Sequence, residues 1–220
     1  MLPMSGHVTE LMTMPAKTPA PALTIVNVGY RSTNYWVISV GTSRLLVDIG
    51  WPGTFGMMKA NLTQKGIPLH EIRYALATHY HIDHAGLGEE MKRAGVPLLV
   101  LDMQVAAIPV MTQWTKPWDK YVEITTNDNV VISCAQSRQL LQRIGIAGEI
   151  VHTPGHSDHC VSLVLDDGCV FTGDLPAPAM AFDNPQAQAS WQLLRAHGAT
   201  RVYPAHGPVR DIDSTMHEGD

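Results

Sequence analysis

The stretch Thr78-His79-Tyr80-His81-Ile82-Asp83-His84 constrains this chain most, because it puts three imidazoles and a carboxylate into six residues directly after the apolar run 73–77. Few packing needs explain such a density of titratable groups, and each must find a partner once the fold buries it. In an extended strand end, residues two apart point to the same side. His79 and His81 therefore converge on one point, while Asp83 and His84, displaced around the following turn, address a second. A fold that uses this pattern has a buried strand delivering its C-terminal end to a polar rim.

Further donors must then come from distant parts of the chain, and three stretches supply them. His156 lies in Thr153-Pro154-Gly155-His156-Ser157, Asp174 in Phe171-Thr172-Gly173-Asp174, and His206 in Tyr203-Pro204-Ala205-His206-Gly207. Each follows an apolar run ending in a turn, beside small residues that let the backbone approach a site closely. A neutral imidazole suits Zn²⁺, and a carboxylate can bridge two cations and offset part of their charge. Seven such ligands fill two metal sites and leave room for water. Any one of the eleven histidines taken alone reads better as a surface or hydrogen-bonded core residue, but the set of seven does not. His152 and His159 fit a supporting or solvent role near the site. His7, His70, His197 and His217 have no partner pattern.

Around these motifs the chain reads as a flexible extension, residues 1–22, followed by one domain, residues 23–220. At 220 residues with 45% hydrophobic and 16% charged side chains, it has apolar material for one substantial core. Short β-type runs at 23–28, 35–40 and 44–49 precede a helical segment at 55–65 and a buried strand at 73–77. A helix ending near Gly95 and a strand at 97–101 begin a strand and helix alternation. It continues with a strand at 130–133, a helix at 137–144, strands at 149–152, 161–165 and 169–172, a helix at 185–197 and a strand at 201–203. Residues 102–128, with Met111, Trp114 and Trp118 spread around two prolines, fit neither period.

A formal charge of −5 without a Lys or Arg run leaves no footprint for a phosphate backbone, so nucleic acid is not the expected partner. Cys134, Cys160 and Cys169 are odd in number and lack CxxC spacing, which fits a reducing compartment. No stretch has the form of a signal peptide or a membrane span, so we expect a cytoplasmic protein that does not engage a membrane.

The order HxHxDH, a His after TPG, an Asp after TG and a His in PAHG resembles the metallo-β-lactamase superfamily, over Asp48 to Gly207 and so most of the chain. The resemblance implies an α/β fold, a four-layer αβ/βα sandwich with two zinc ions at one edge, or iron or manganese in their place. It assigns His79, His81 and His156 to the first ion, Asp83, His84 and His206 to the second, and Asp174 to a bridge. Asp48, in Val47-Asp48-Ile49-Gly50, matches a residue that supports a ligand. Two ions about 3.5–4 Å apart bring the pKa of a shared water toward neutrality, so hydroxide becomes the nucleophile. Asp83 is the expected catalytic carboxylate, orienting that hydroxide and passing a proton to the leaving group.

A bridging Asp174 with otherwise His ligands departs from the β-lactamases proper. The pattern is closer to glyoxalase II-like thioesterases, acyl-homoserine lactonases and RNase Z-like phosphodiesterases. Only residues 208–220 follow the last ligand, which speaks against a glutathione-binding helical domain of the glyoxalase II kind. The expected substrate is a small-molecule ester, lactone or thioester. The alternatives are a small phosphodiester, or persulfide oxidation at a single iron held by residues matching His79, His156 and Asp174. Met111, Trp114 and Trp118 are candidates for an apolar substrate wall, and equally for core packing or a homodimer contact. Asn34, in the early turn 30–35, is a second pocket candidate.

Overall fold

The computed structural model describes residues 21–213, so the expected extension falls outside the described residues except for its last two positions. The first sheet has six strands in chain order: β1 (Leu23–Asn27), β2 (Trp36–Val40), β3 (Ser43–Val47), β4 (Ile72–Leu76), β5 (Leu98–Leu101) and β6 (Val130–Ile132). β1, β2 and β3 form an antiparallel meander, and β3 to β6 run parallel. The second sheet contains β7 (Gly148–His152), β8 (Val161–Leu165), β9 (Cys169–Gly173), β10 (Arg201–Pro204) and β11 (Arg210–Asp211), in the order β11-β10-β9-β8-β7.

Most central strands are apolar on both faces because both faces are covered. Along β2, Trp36 and Ile38 turn toward the second sheet while Val37 turns the other way. Along β8, Val161, Leu163 and Leu165 meet the first sheet while Val164 faces outward. The inter-sheet layer thus joins Leu45, Val47, Leu76 and Leu99 to Ile150, Leu163 and Phe171. On the outside of the first sheet lie α1 (Phe55–Gln64), α2 (Ile82–Ala85) and α3 (Gly88–Arg93), which contribute Met58, Leu62, Ala85 and Met91 to a second cluster. α4 (Cys134–Arg143) packs on β7 through Leu140 and Leu141. α5 (Pro185–Ala196) covers the second sheet with Ala187, Trp191 and Leu194. The result is the expected four-layer αβ/βα sandwich.

The segment expected as a single helix ending near Gly95 is two pieces, α2 and α3, separated at Gly86 and Leu87. Residues 102–128 contain three 3₁₀ turns, Asp102–Ala107, Pro109–Trp114 and Pro117–Asp119. Pro109 and Pro117 each open a turn, where the missing N–H and fixed φ are tolerated, and each prevents the preceding turn from continuing as a helix. This is why neither period was visible there.

Five strands set up the functional edge. Asp48 follows the C-terminal end of β3, the HxHxDH stretch follows β4, His156 follows β7, Asp174 follows β9 and His206 follows β10. Carboxyl ends of strands are where open α/β sheets place ligands, since the loops there diverge and leave a crevice.

Candidate metal centre

His79 and His81 do not converge through a strand pleat as expected. β4 ends at Leu76, and residues 77–81 form an irregular connection that leads into α2. Their rings meet because that connection is clamped. The fully buried Gln104 donates through Nε2 to the carbonyls of Ala77, Thr78 and His159, each at 3.2 Å. Asp48 Oδ1 accepts from both the backbone N and Oγ1 of Thr78, at 2.8 Å each. Asp48 itself sits at φ 61°, a left-handed conformation that Asp tolerates better than most residues.

Asp174 stands at the centre of the cluster. Its Oδ2 lies 3.3 Å from His84 Nε2, 3.6 Å from His156 Nε2 and 3.8 Å from His79 Nε2, while Oδ1 lies 3.3 Å from His206 Nε2. Asp83 Oδ2 lies 3.4 Å from His84 Nε2 and 3.3 Å from His206 Nε2. His81 Nδ1 and His156 Nε2 are 3.0 Å apart. Three overlapping groups, His79 with His81 and His156, His79 with His84 and Asp174, and Asp83 with His84 and His206, each bring their donor atoms within 4.8 Å of one another. Their union is the same seven side chains singled out in the sequence.

Gly173 makes the approach of Asp174 possible. It has φ 55°, and a Cβ there would run into the side chain of Thr78. Gly155 plays the same part for His156, since at φ 143° a Cβ would lie 2.7 Å from the Ala187 backbone on α5.

The donor chemistry fits divalent cations. The buried His79 Nε2, His84 Nε2 and Asp174 Oδ1 have no hydrogen-bond partner among the described residues, although unsatisfied polar atoms are costly. Burial, reinforced by the neighbouring imidazoles, holds His79 well below the usual His pKa, and burial lowers His81 and His156 as well. These rings are neutral, with lone pairs available at ordinary pH. His84 is the exception: burial opposes its charge, but Asp48, Asp174 and Asp83 outweigh it and hold the pKa well above the usual value. Asp83 and Asp174 stay ionised, because contacts with His84 outweigh the burial that opposes their charge. Carboxylates gathered this closely call for positive charge in return.

Other contacts fix ring orientation. His206 Nδ1 donates to the carbonyl of Ser32 at 2.6 Å, which aims Nε2 at the cluster. Thr33 Oγ1 donates to Asp83 Oδ2 at 3.1 Å, and Asp48 Oδ2 lies 3.0 Å from His84 Nδ1. The early turn thus reaches the His and Asp cluster through Ser32 and Thr33. Asn34, expected in a substrate pocket, instead ties down the His206 loop, donating to the carbonyls of Pro204 at 3.0 Å and Gly207 at 2.9 Å.

The expected wall of Met111, Trp114 and Trp118 divides. Trp114, 63% exposed, lines a cavity of about 370 Å³ with Met103, Val110, Tyr80 and the candidate ligand His81. Met111 is only 1% exposed and belongs to the core beneath the first sheet, and Trp118, 76% exposed, lies on the separate Pro117–Asp119 turn and lines neither cavity at the cluster. His159 accepts from the backbone N of Tyr80 at 3.1 Å and so steadies the connection between His79 and His81. Sequence reasoning missed Gln104 and Thr78 as clamps, and neither carried a signal, since polar residues of these kinds are common in loops. It also missed Arg210, which lines a second cavity of about 260 Å³ with His156, Asp174 and His206.

The chain matches the metallo-beta-lactamase superfamily over residues 28–206, and it belongs to that superfamily. Among curated relatives, it is 28% identical over 196 residues to an atrochrysone carboxyl ACP thioesterase of Aspergillus novofumigatus, covering 84% of this chain and 52% of the relative. It is 26% identical over 189 residues to a beta-lactamase-like protein 2 homolog of Caenorhabditis elegans, covering 82% of this chain and 58% of the relative. The chain thus spans about half the length of the curated relatives it matches.

Solved structures share the fold. A metallo-beta-lactamase family protein of Thermus thermophilus superposes with a TM-score of 0.66 at 18% identity, over 86% of this chain and 74% of that one. The FEZ-1 metallo-beta-lactamase of Legionella gormanii gives 0.64 at 20% identity, over 88% and 81%. TTHA1623 in a di-iron-bound form gives 0.63 at 23% identity, over 86% and 94%. Among the described residues, no helix is long and apolar enough to cross a membrane.

Proposed function

We propose that this chain is a two-metal hydrolase, with zinc as the native metal, that cleaves an ester, lactone or thioester of a small molecule. The observation that carries the reading is the position of the Asp174 carboxylate, within 3.3 to 3.8 Å of four imidazoles from three separate stretches of chain. His79, His81 and His156 would hold one ion, Asp83, His84 and His206 the other, and Asp174 would join them. When bound, the ions supply a water activated at neutral pH and polarise the scissile carbonyl.

The protein's own groups do the rest. His79, His81 and His156 present uncharged nitrogens, and the Ser32 carbonyl keeps His206 in the tautomer that faces inward. Asp83, steadied by Thr33, is the carboxylate that takes up the water proton and returns it to the leaving group. No Ser or Cys nucleophile is required. The cavity beside His81, walled by Met103, Val110 and Trp114, suits an apolar acyl arm. The relative named as a thioesterase supports the substrate class. The net charge of −5 favours a small molecule over nucleic acid, and three free cysteines suit the cytoplasm.

The test is metal analysis of the purified chain together with parallel assays on lactones, thioesters, phosphodiesters and β-lactams. Close to two zinc ions per chain with lactone, ester or thioester turnover is the expected result. Phosphodiester turnover alone, or one iron per chain with oxygen uptake, overturns the reading.

A further inference from the structure

The cavity lined by Arg210 differs from the one at Trp114. Its remaining walls are apolar, with Leu175, Ala177, Met180 and Pro204, and its floor is the ligand cluster at His156, Asp174 and His206. Arg210 lies on β11 directly opposite Val202, so both side chains stand on the face of the sheet that α5 covers. Burial holds its guanidinium below the usual Arg value, although it remains charged at any ordinary pH.

Several other arginines satisfy their charge within the protein. Arg44 pairs with Glu71, Arg93 with Glu89, Arg138 with Glu149 and Asp166, and Arg195 with Asp213. Arg31 lies over the Trp51 ring. Arg210 makes no side-chain hydrogen bond or ion pair with any described residue, although it is half-buried beside apolar walls. A partly desolvated cation without a counter-charge is unfavourable, and an anion entering the cavity would relieve it.

We propose that Arg210 is a specificity-determining residue that receives an oxyanion, a carboxylate or a phosphate, carried on the substrate arm lying in this cavity. The planar guanidinium fork matches either group with two parallel hydrogen bonds, next to the cluster where the scissile carbonyl would lie. The inference rests on the hydrolase reading for its substrate. It adds that the preferred ester, lactone or thioester carries a negative charge on the side away from its apolar arm.

The test compares the zinc-loaded wild type with Arg210→Gln and Arg210→Lys on two esters of similar length, p-nitrophenyl hydrogen glutarate and p-nitrophenyl valerate. The ratio of kcat/KM for the charged over the neutral ester falls in Arg210→Gln by roughly 10- to 100-fold, the worth of a charge-assisted hydrogen bond, and falls mainly through KM. Arg210→Lys retains part of the preference. Calorimetric binding of glutarate and of glycerol 3-phosphate, measured without turnover, identifies which oxyanion is held, and that binding weakens by the same factor in Arg210→Gln.

An unchanged ratio with unchanged anion binding overturns the proposal, as does failure of both anions to bind the wild type. If the wild type cleaves neither ester, the hydrolase reading fails for these substrates, while anion binding still decides the role of Arg210.

Discussion

Replacing Asp48 separates the two tasks its carboxylate performs. Oδ1 accepts two hydrogen bonds from Thr78, and Oδ2 lies 3.0 Å from His84 Nδ1. Asp48→Asn keeps the shape, the acceptor Oδ1 and the tolerance for φ 61°, but removes the charge facing His84. It should fold normally and bind the ion at Asp83, His84 and His206 about 10- to 100-fold more weakly, the usual cost of losing the group that orients a ligand imidazole.

Asp48→Ala also strands the buried N–H of Thr78, for about 1–3 kcal/mol, and loses the Oγ1 bond, for about 1 kcal/mol. The sum is about 2–4 kcal/mol, and at roughly 2–4 °C per kcal/mol for a domain of this size the Tm drops by roughly 5–15 °C. Chelator competition measures the metal affinity, and calorimetry of chelator-treated protein measures the stability. Equal chelator titrations for wild type and Asp48→Asn, or equal Tm values for the Asn and Ala variants, would refute the division of labour.

Further outcomes follow from the same geometry. Gly173→Ala forces a Cβ into Thr78 at a positive φ, so urea unfolding should show a loss of about 2–5 kcal/mol. Gln104→Leu keeps the volume but strips the clamp from Ala77, Thr78 and His159, and should lower stability by about 2–4 kcal/mol together with metal content; normal metal content would show that the clamp is dispensable. Glu89 gives a pH signature. Burial opposes its charge, but hydrogen bonds from Thr125 N at 3.0 Å and Oγ1 at 3.1 Å, with Lys92 and Arg93 nearby, outweigh burial and depress its pKa. A depressed carboxylate stabilises the fold above its unfolded pKa, and that stabilisation disappears as pH falls through the folded value. Wild-type stability should therefore fall more steeply than that of Glu89→Gln between about pH 5 and pH 3, and parallel curves would contradict the assignment.

Much of the architecture was legible in the chain, because strands buried on both faces must be continuously apolar and amphipathic helices must repeat near every third or fourth residue. β8, α4 and α5 came out within a few residues of their expected positions for that reason. Residues 102–128 resisted because 3₁₀ turns interrupted by proline leave no sustained period. Met111 and Trp114 are both large apolar side chains on the same Pro109–Trp114 turn, yet one is core and the other lines a cavity.

The sequence by itself determined which donor chemistry is present and in what order, since imidazoles and carboxylates after apolar runs are local facts. Only the tertiary structure decided that Asp174 stands among four imidazoles, that Gln104 and Asp48 hold the connection after β4, and that Arg210 reaches the cavity beside His206. Those relations join residues many positions apart, and such distances are set only when two sheets pack face to face and their strand ends meet at one edge.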